Sequence, residues 1–244
     1  LDIQQVEVFR GPQGTLHGAN ALAGLVALKS NQPSDRTEGN LSLAVGRFDS
    51  KTFSGALGGS LTPEINFRFA LQKHLSDGDI ENLFLNRRDT DDINELSIRS
   101  IMDLQINESI VTKLTIFHIN ADNGYDGFSL DNSRYTLSDN PGHDRHESTA
   151  IALENVWEGN HGYDLTALVS FASTDLEYGY DEDWAFPNIC EGLECSGWEY
   201  NSQDNYLRDR QNYAIDLRLV SKRPIILAGY PSDWVLGVYA RDQG

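Results

Sequence analysis

Val6-Glu7-Val8-Phe9-Arg10-Gly11-Pro12-Gln13-Gly14-Thr15-Leu16-His17-Gly18-Ala19-Asn20-Ala21-Leu22-Ala23-Gly24-Leu25-Val26-Ala27-Leu28-Lys29 is the stretch whose reading decides the fold. Val6 and Val8 alternate with Glu7 and Phe9, the period-2 pattern of a strand. Gly11-Pro12 and Gln13-Gly14 break that pattern, because Pro12 fixes its own φ and lacks an N–H, while glycine admits backbone closed to other residues. Gly18 and Gly24 bracket a segment of small residues suited to close packing, and Leu25-Val26-Ala27-Leu28 resumes as a strand. By itself, a pair of short strands around a glycine-punctuated turn is compatible with many folds.

The string as a whole is more specific. Glu7-Val8-Phe9-Arg10-Gly11-Pro12, followed by Gly14, Gly18, Asn20-Ala21, Gly24 and an apolar strand, resembles the end of the plug domain of TonB-dependent outer-membrane receptors. His17 departs from the family, which usually has an aromatic there. The resemblance implies that residues 1–35 are the C-terminal end of a plug and its linker, and that 36–244 are the N-terminal, incomplete part of a transmembrane β-barrel. A secretion signal, an energy-coupling box and the rest of the plug are then expected upstream, and the remaining barrel strands downstream. The expected fold is all-β: about nine strands of a larger, plugged, antiparallel up-and-down barrel.

The rest of the chain carries the corresponding rhythm. Leu41, Leu43 and Val45 alternate with Asn40, Ser42 and Ala44; Phe53, Leu57 and Leu61 oppose Thr52, Ser54 and Ser60; Ile65, Phe67, Phe69 and Leu71 oppose Asn66, Arg68, Ala70 and Gln72. Leu96, Ile98, Met102 and Leu104 set a fourth strand against Glu95, Ser97, Arg99 and Asp103. The fifth, 110–120, is ambiguous, with Leu114 and Ile116 on one face and Phe117 and Ile119 on the other; a bulge or a change of environment accounts for such a pattern. Four more strands follow near 150–157, 163–171, 213–219 and 234–239. Connections are mostly short and long in alternation, as in a barrel with small periplasmic turns and large outer loops. The outer loops are expected at 76–92, 122–147 and 177–210. Trp157, Tyr163 and Trp234 sit at strand ends near the short turns, where interfacial aromatics belong.

Composition narrows the function classes. With 19 Lys+Arg against 37 Asp+Glu, the net charge is -18, which argues against a nucleic-acid partner. The acids concentrate in presumed loops, such as Asp89-Thr90-Asp91-Asp92 and Asp181-Glu182-Asp183. No apolar run reaches the ~20 residues of a membrane-spanning helix, a criterion blind to barrels. No catalytic constellation emerges and no cofactor or resident metal is expected: His143-Asp144-Arg145-His146-Glu147 matches no hydrolase spacing and reads as a solvated loop.

The resemblance further implies location in the outer membrane of a Gram-negative bacterium, with membrane lipid and a TonB-type energy-coupling complex as partners. It implies uptake of a scarce small ligand, most often a ferric siderophore, with glycans, cobalamin and other metal chelates left open. A passive porin or surface-binding barrel, and a soluble β-sandwich adhesin, are the readings from other classes. In an exported protein Cys190 and Cys195, close together in one polar loop, are expected to form a short-loop disulfide. Ligand contact is expected from outer-loop aromatics, Tyr125, Phe128, Tyr135, Tyr178, Tyr180, Trp184 and Trp198, which alternatively pack the loops together. Asp181-Glu182-Asp183 is either a calcium-binding run or a solvated one. Arg10 and Lys29 are expected to face wall carboxylates Glu95, Asp103, Glu154 and Asp216, unless Arg10 only caps its own turn.

Overall fold

The computed structural model describes residues 1–12, 23–159, 162–191 and 200–244. It contains β1 (Ile3–Arg10), β2 (Gly24–Ser30), β3 (Glu38–Val45), β4 (Lys51–Thr62), β5 (Ile65–Ser76), β6 (Glu81–Asn82), β7 (Ile93–Asn107) and β8 (Ile110–Tyr125). These are followed by β9 (Tyr135–Thr136), β10 (Gly142–Glu158), β11 (Tyr163–Asp181), β12 (Gln203–Ser221), β13 (Ile225–Leu227), β14 (Tyr230–Ser232) and β15 (Val235–Gln243). β1 and β2 form their own antiparallel hairpin, Val8 opposite Val26. Nine strands make one sheet in the order β15-β12-β11-β10-β8-β7-β5-β4-β3. Each long strand pairs with the next long strand in sequence, and every pairing is antiparallel, the up-and-down topology expected.

One face of this sheet is apolar and bare. Leu43, Leu57, Phe69, Ile151, Val169, Ile215, Leu217 and Val238 are all exposed. The substantial contacts of the wall strands are with their ladder neighbours, so among the described residues no second sheet covers that face, as a sandwich would require. A bare apolar face this broad is at home against lipid.

The opposite face holds the tightly buried side chains. Arg68 and Arg99 are both under one-tenth exposed, beside Ala56, Ala70 and Ile101. Registers Arg68↔Ile101, Ala70↔Arg99 and Ala56↔Ala70 put all five on one side. Against them sits Asp2, at the foot of the hairpin. Its carboxylate accepts from Arg68 Nε at 2.6 Å and Arg68 Nη2 at 2.8 Å, and lies 3.7 Å from Arg99 Nη2. Arg99 Nη2 also donates to the Leu1 and Asp2 carbonyls, and Asn31 Nδ2 donates to Asp2 Oδ1. The hydrogen bond from Arg68 is the main cause holding the Asp2 carboxyl below its ordinary range.

The signs of this contact are the reverse of the expected ones. The wall supplies the cations and the hairpin segment supplies the carboxylate. Lys29 instead donates to Glu7 at 2.7 Å across the hairpin. Of the wall acids, Asp103 lies 3.9 Å from Lys113, Asp216 is paired with Arg218, and Glu95 accepts from Asn123 Nδ2 at 3.2 Å. Lys113 also reaches the linker, donating to Gln32 at 2.8 Å.

Two further expectations change. The fifth strand has no bulge in its interior, since β8 keeps register with β10 from Ile110 to Tyr125. Leu114 and Ile116 join the apolar face, while Phe117 looks inward opposite Arg99 and Ala150. The expected loops 122–147 and 177–210 are also too long. β8 continues to Tyr125, β10 begins at Gly142, β11 runs to Asp181 and β12 starts at Gln203, so His143 to Glu147 belong to a strand. Crossing a bilayer takes about 9–11 tilted residues, whereas β11 and β12 have 19 each. The surplus rises beyond the apolar band as sheet wetted on both sides. There Arg145 Nε bonds Asp122 at 2.8 Å, the kind of cross-strand pair that supports a ladder in water.

Facing positions on β12 give a direct test. Ile215→Arg places a charge on the lipid side and is expected to destabilise the folded barrel by about 2–4 kcal/mol. Ala214→Arg, one residue away on the inner face, is expected to change stability little. Urea titration of the full-length protein in bilayers, read by gel mobility of the unheated barrel, measures both. Equal losses would contradict the assignment of faces.

Candidate functional site

The inner face ends, at the long-loop rim, in a cluster of rings. The ladders connect Arg99 to Phe117, Phe117 to Ala150, Ala150 to Ala172 and Ala172 to Asn212. Counting along each strand in steps of two from those residues reaches Tyr125, Tyr178 and Tyr206 on the same side as the hairpin. Tyr178 lies 5.0 Å from Tyr125 and 6.2 Å from Tyr206, centroid to centroid. Phe128 meets Tyr125 edge-on at 5.7 Å, tilts against Tyr180 at 5.3 Å, and stacks on Trp184 at 5.1 Å. Such ring contacts each contribute about 0.5–1.5 kcal/mol beyond area burial. The arrangement is therefore a built surface.

Five of the seven expected ligand aromatics thus converge: Tyr125, Phe128, Tyr178, Tyr180 and Trp184. Tyr135 does not join them; it lies in the short β9, half exposed, opposite Glu81. Trp198 lies outside the described residues. Tyr206 was not anticipated, because the expected loop 177–210 hid the strand on which it sits. Polar residues flank it on both faces of that strand, so no alternation marked it. Its hydroxyl donates to Asp204 Oδ2 at 2.8 Å.

Beside the rings, the 76–92 and 126–141 connections are laced together by buried polar groups. Asn82, fully buried, donates from Nδ2 to Asp126 Oδ2 and to the Ser138 carbonyl, both at 2.9 Å, and its Oδ1 accepts from Leu85 N. Thr136 Oγ1 donates to the same Asp126 oxygen at 2.8 Å. β6 and β9 pair in parallel beside this knot. Phe84 stacks on Phe186 at 4.6 Å, joining the 76–92 connection to the 182–202 connection. Gly124 is required by close approach, since a Cβ there would meet the Thr90 carbonyl oxygen at 2.5 Å.

Asp181 and Asp183, both buried, share this corner with Asp139 and Ser138. Burial chiefly, and the hydrogen bond with Asp183, push the Asp181 carboxyl up to about 7. The run is therefore not a solvated one at these two positions. Among the described residues no group of three or more His, Cys, Asp or Glu side chains is arranged to hold a metal ion. Cys190 is partly buried, and Cys195 lies outside the described residues, as do Gly14, Gly18 and Asn20 of the plug-like motif. Glu7, Arg10, Gly11, Pro12 and Gly24 fall in or beside the β1–β2 hairpin.

A raised carboxyl pKa has a definite sign in stability. Between its ordinary 3.8 and about 7, the closed corner holds more protons than an opened one. Its stability therefore falls as pH rises through that window and levels off above it. Amide exchange at residues 136–139 and 181–183, corrected for intrinsic rates, is expected to be faster at pH 8 than at pH 5. Asp181→Asn is expected to remove most of that difference; an unchanged pH dependence in the variant would contradict the assignment.

No family model matches the chain. The pesticin receptor of Yersinia pestis is 33% identical over 82 residues, 33% of this chain and 12% of that receptor. Among solved structures, the ferric yersiniabactin uptake receptor FyuA from Yersinia pestis superposes with a TM-score of 0.76 at 17% identity, over 99% of this chain and 36% of that one. The pyoverdine outer-membrane receptor FpvA from Pseudomonas aeruginosa PAO1 gives 0.74 at 15% identity, covering 99% and 35%. The ferric-catecholate import receptor Fiu from E. coli K12 gives 0.73 at 14% identity, covering 99% and 39%. The chain spans little more than a third of the length of these three solved receptors, and its match to the pesticin receptor covers 12% of that receptor. The chain has the fold of one section of these outer-membrane receptors: a hairpin tied to the inner face and nine consecutive strands of the wall.

Proposed function

We propose that this chain is part of an energy-coupled outer-membrane receptor that takes up a ferric siderophore. The observation that carries the reading is the placement of the β1–β2 hairpin segment on the inner face, tied there by Asp2 to Arg68 and Arg99. A passive porin has no use for such a tether across its passage. In this reading residues 1–35 are the end of the plug and 36–244 the first part of the wall. An inner-membrane TonB complex acts on a plug segment upstream. A buried charge pair suits a part that must hold and then release, because charges separated in a wet passage are rehydrated while an apolar seal would not be.

The ring cluster is then the outer binding surface. Tyrosine and tryptophan present broad, stiff faces with a polar tip, which suits a large amphipathic chelate at low entropy cost. The cluster faces the passage from the long-loop rim, the side from which ligand arrives. Residues of the knot beside it, Asn82, Asp126 and Thr136, position the loops and do not themselves face the ligand. Among the similar receptors, FyuA is an uptake receptor for ferric yersiniabactin, Fiu an import receptor for ferric catecholates, and FpvA is bound to pyoverdine, which supports this reading.

Removing Tyr178, which bridges Tyr125 and Tyr206, is expected to weaken binding of the cognate ferric siderophore to whole cells by about tenfold, or ~1.4 kcal/mol. Tyr135→Ala, outside the cluster, is expected to have no effect. Binding is measured with radiolabelled iron in a strain lacking TonB, where uptake should vanish and binding should persist. Growth of a receptor-deletion strain on defined iron sources identifies the cargo. No dependence on any iron source would redirect the reading toward glycans, cobalamin or another chelate.

A further inference from the structure

The connection between β12 and β15, on the short-turn rim, is not a short turn. It contains an ordered two-stranded finger, β13 against β14, with Ile225↔Ser232, Ile226↔Pro231 and Leu227↔Tyr230 in register. Ala228 and Gly229 close it with φ of +51° and +88°. That is the backbone of a tight hairpin turn in which Asn, Asp or Gly normally precedes the glycine. Here the first position is Ala, which accepts a strained backbone and offers water no polar group. The flanking residues are equally apolar and fully out in the open: Ile226 is 71% exposed, Leu227 63% and Tyr230 73%. The finger makes its substantial contacts only within itself.

Its base is fixed. Ser221 and Trp234 bond each other through backbone N–H and carbonyl at 2.9 Å, Lys222 N donates to the Gly162 carbonyl, and Lys222 Nζ lies 2.8 Å from Asp164. Trp234 contacts Tyr163, so the finger springs from the aromatic pair at the edge of the apolar band. Of the cations at this base, Arg218 is paired with Asp216 and Lys222 with Asp164, while Arg223 stands at the foot of the finger. An apolar tip rooted in an aromatic girdle, with Arg223 beside it, is the composition of a segment lying in a membrane interface.

We propose that the β13–β14 finger is a lipid anchor: Ile226, Leu227 and Tyr230 enter the acyl–headgroup boundary of the leaflet at the short-turn rim, with Arg223 at the phosphate level. The inference rests on the barrel reading above, and continuity with the lipid-facing band selects lipid as the occupant. A free loop tip in water does not require Ile-Ile-Leu, and the strained Ala228 gains nothing there.

The test uses the full-length receptor with Cys190 and Cys195 replaced by Ser, reconstituted in bilayers of phosphatidylethanolamine and phosphatidylglycerol. A nitroxide is placed singly at Ile226→Cys, at Leu217→Cys in the apolar band, and at Glu64→Cys in an ordinary short turn. Collision with molecular oxygen, which partitions into lipid, and with a water-soluble nickel chelate is read by power saturation. The proposal expects the Ile226 label to resemble Leu217, open to oxygen with loss of nickel access, and Glu64 to be open to nickel. Nickel access at Ile226 equal to that at Glu64 would place the tip in water and overturn the proposal. Protection from both reagents would place it against protein, such as further wall strands or plug, and overturn it as well. Nickel access at Leu217 itself would instead remove the barrel reading, and the anchor with it.

Discussion

A single carboxylate, Asp2, organises the inner side of this molecule. It is 5% exposed, and both guanidinium groups facing it are at or below one-tenth exposed. Burying two cations on a sheet face is costly unless an anion and hydrogen bonds meet them. Removing one partner of such a buried set costs about 3–5 kcal/mol, because the remaining charge is stranded. The wall therefore needs the hairpin segment as much as the segment needs the wall. Glu38, on the first wall strand, completes the set at 3.0 Å from Arg68 Nη1. The tether thus reaches from the linker side of the chain to the third and fourth strands of the wall it will sit inside.

The same strands satisfy a second constraint on their other face. β11 carries Leu165, Val169 and Phe171 outward in its lower half, then Ser173, Asp175 and Glu177 outward in its upper half. One continuous ladder crosses from lipid to water without a break in register against β10 or β12. That change of environment explains what was legible in the sequence. In lipid, a strand must alternate sharply, because a charge on the apolar side is penalised, so all nine wall strands were visible. Above the band both faces meet water, alternation loses its meaning, and Arg145 and Glu147 look like loop. Nothing in their polarity distinguishes a wet strand from a wet loop.

The candidate site was half legible for the same reason. Tyr125, Phe128, Tyr178, Tyr180 and Trp184 stand out as aromatics in polar surroundings, and they do come together. Tyr206 was hidden because its strand was. The direction of the tether could not be read at all: Arg68 and Arg99 have the ordinary period-2 spacing of wall residues, and only three-dimensional pairing reveals that Asp2 answers them. Arg10 and Lys29 drew attention as cations in the motif, but Lys29 is already satisfied by Glu7 within the hairpin.

Function follows from joining the two ends of the inner face. At one level a charged contact holds the hairpin segment to the wall; further out, rings supported by the Asn82–Asp126–Thr136 knot form a stiff surface facing the same passage. In the function proposed above, a ligand gathered on those rings would sit over a part whose attachment is ionic. Distances between a nitroxide at Val8→Cys on the hairpin and one at Gln105→Cys on the wall, in the full-length receptor with its native cysteines replaced by Ser, test this tether most directly. Pulsed electron resonance should give one narrow distance population with Asp2 present and a broadened or displaced one for Asp2→Ala. Superimposable distributions would show that the hairpin holds its place without Asp2 and would contradict the account.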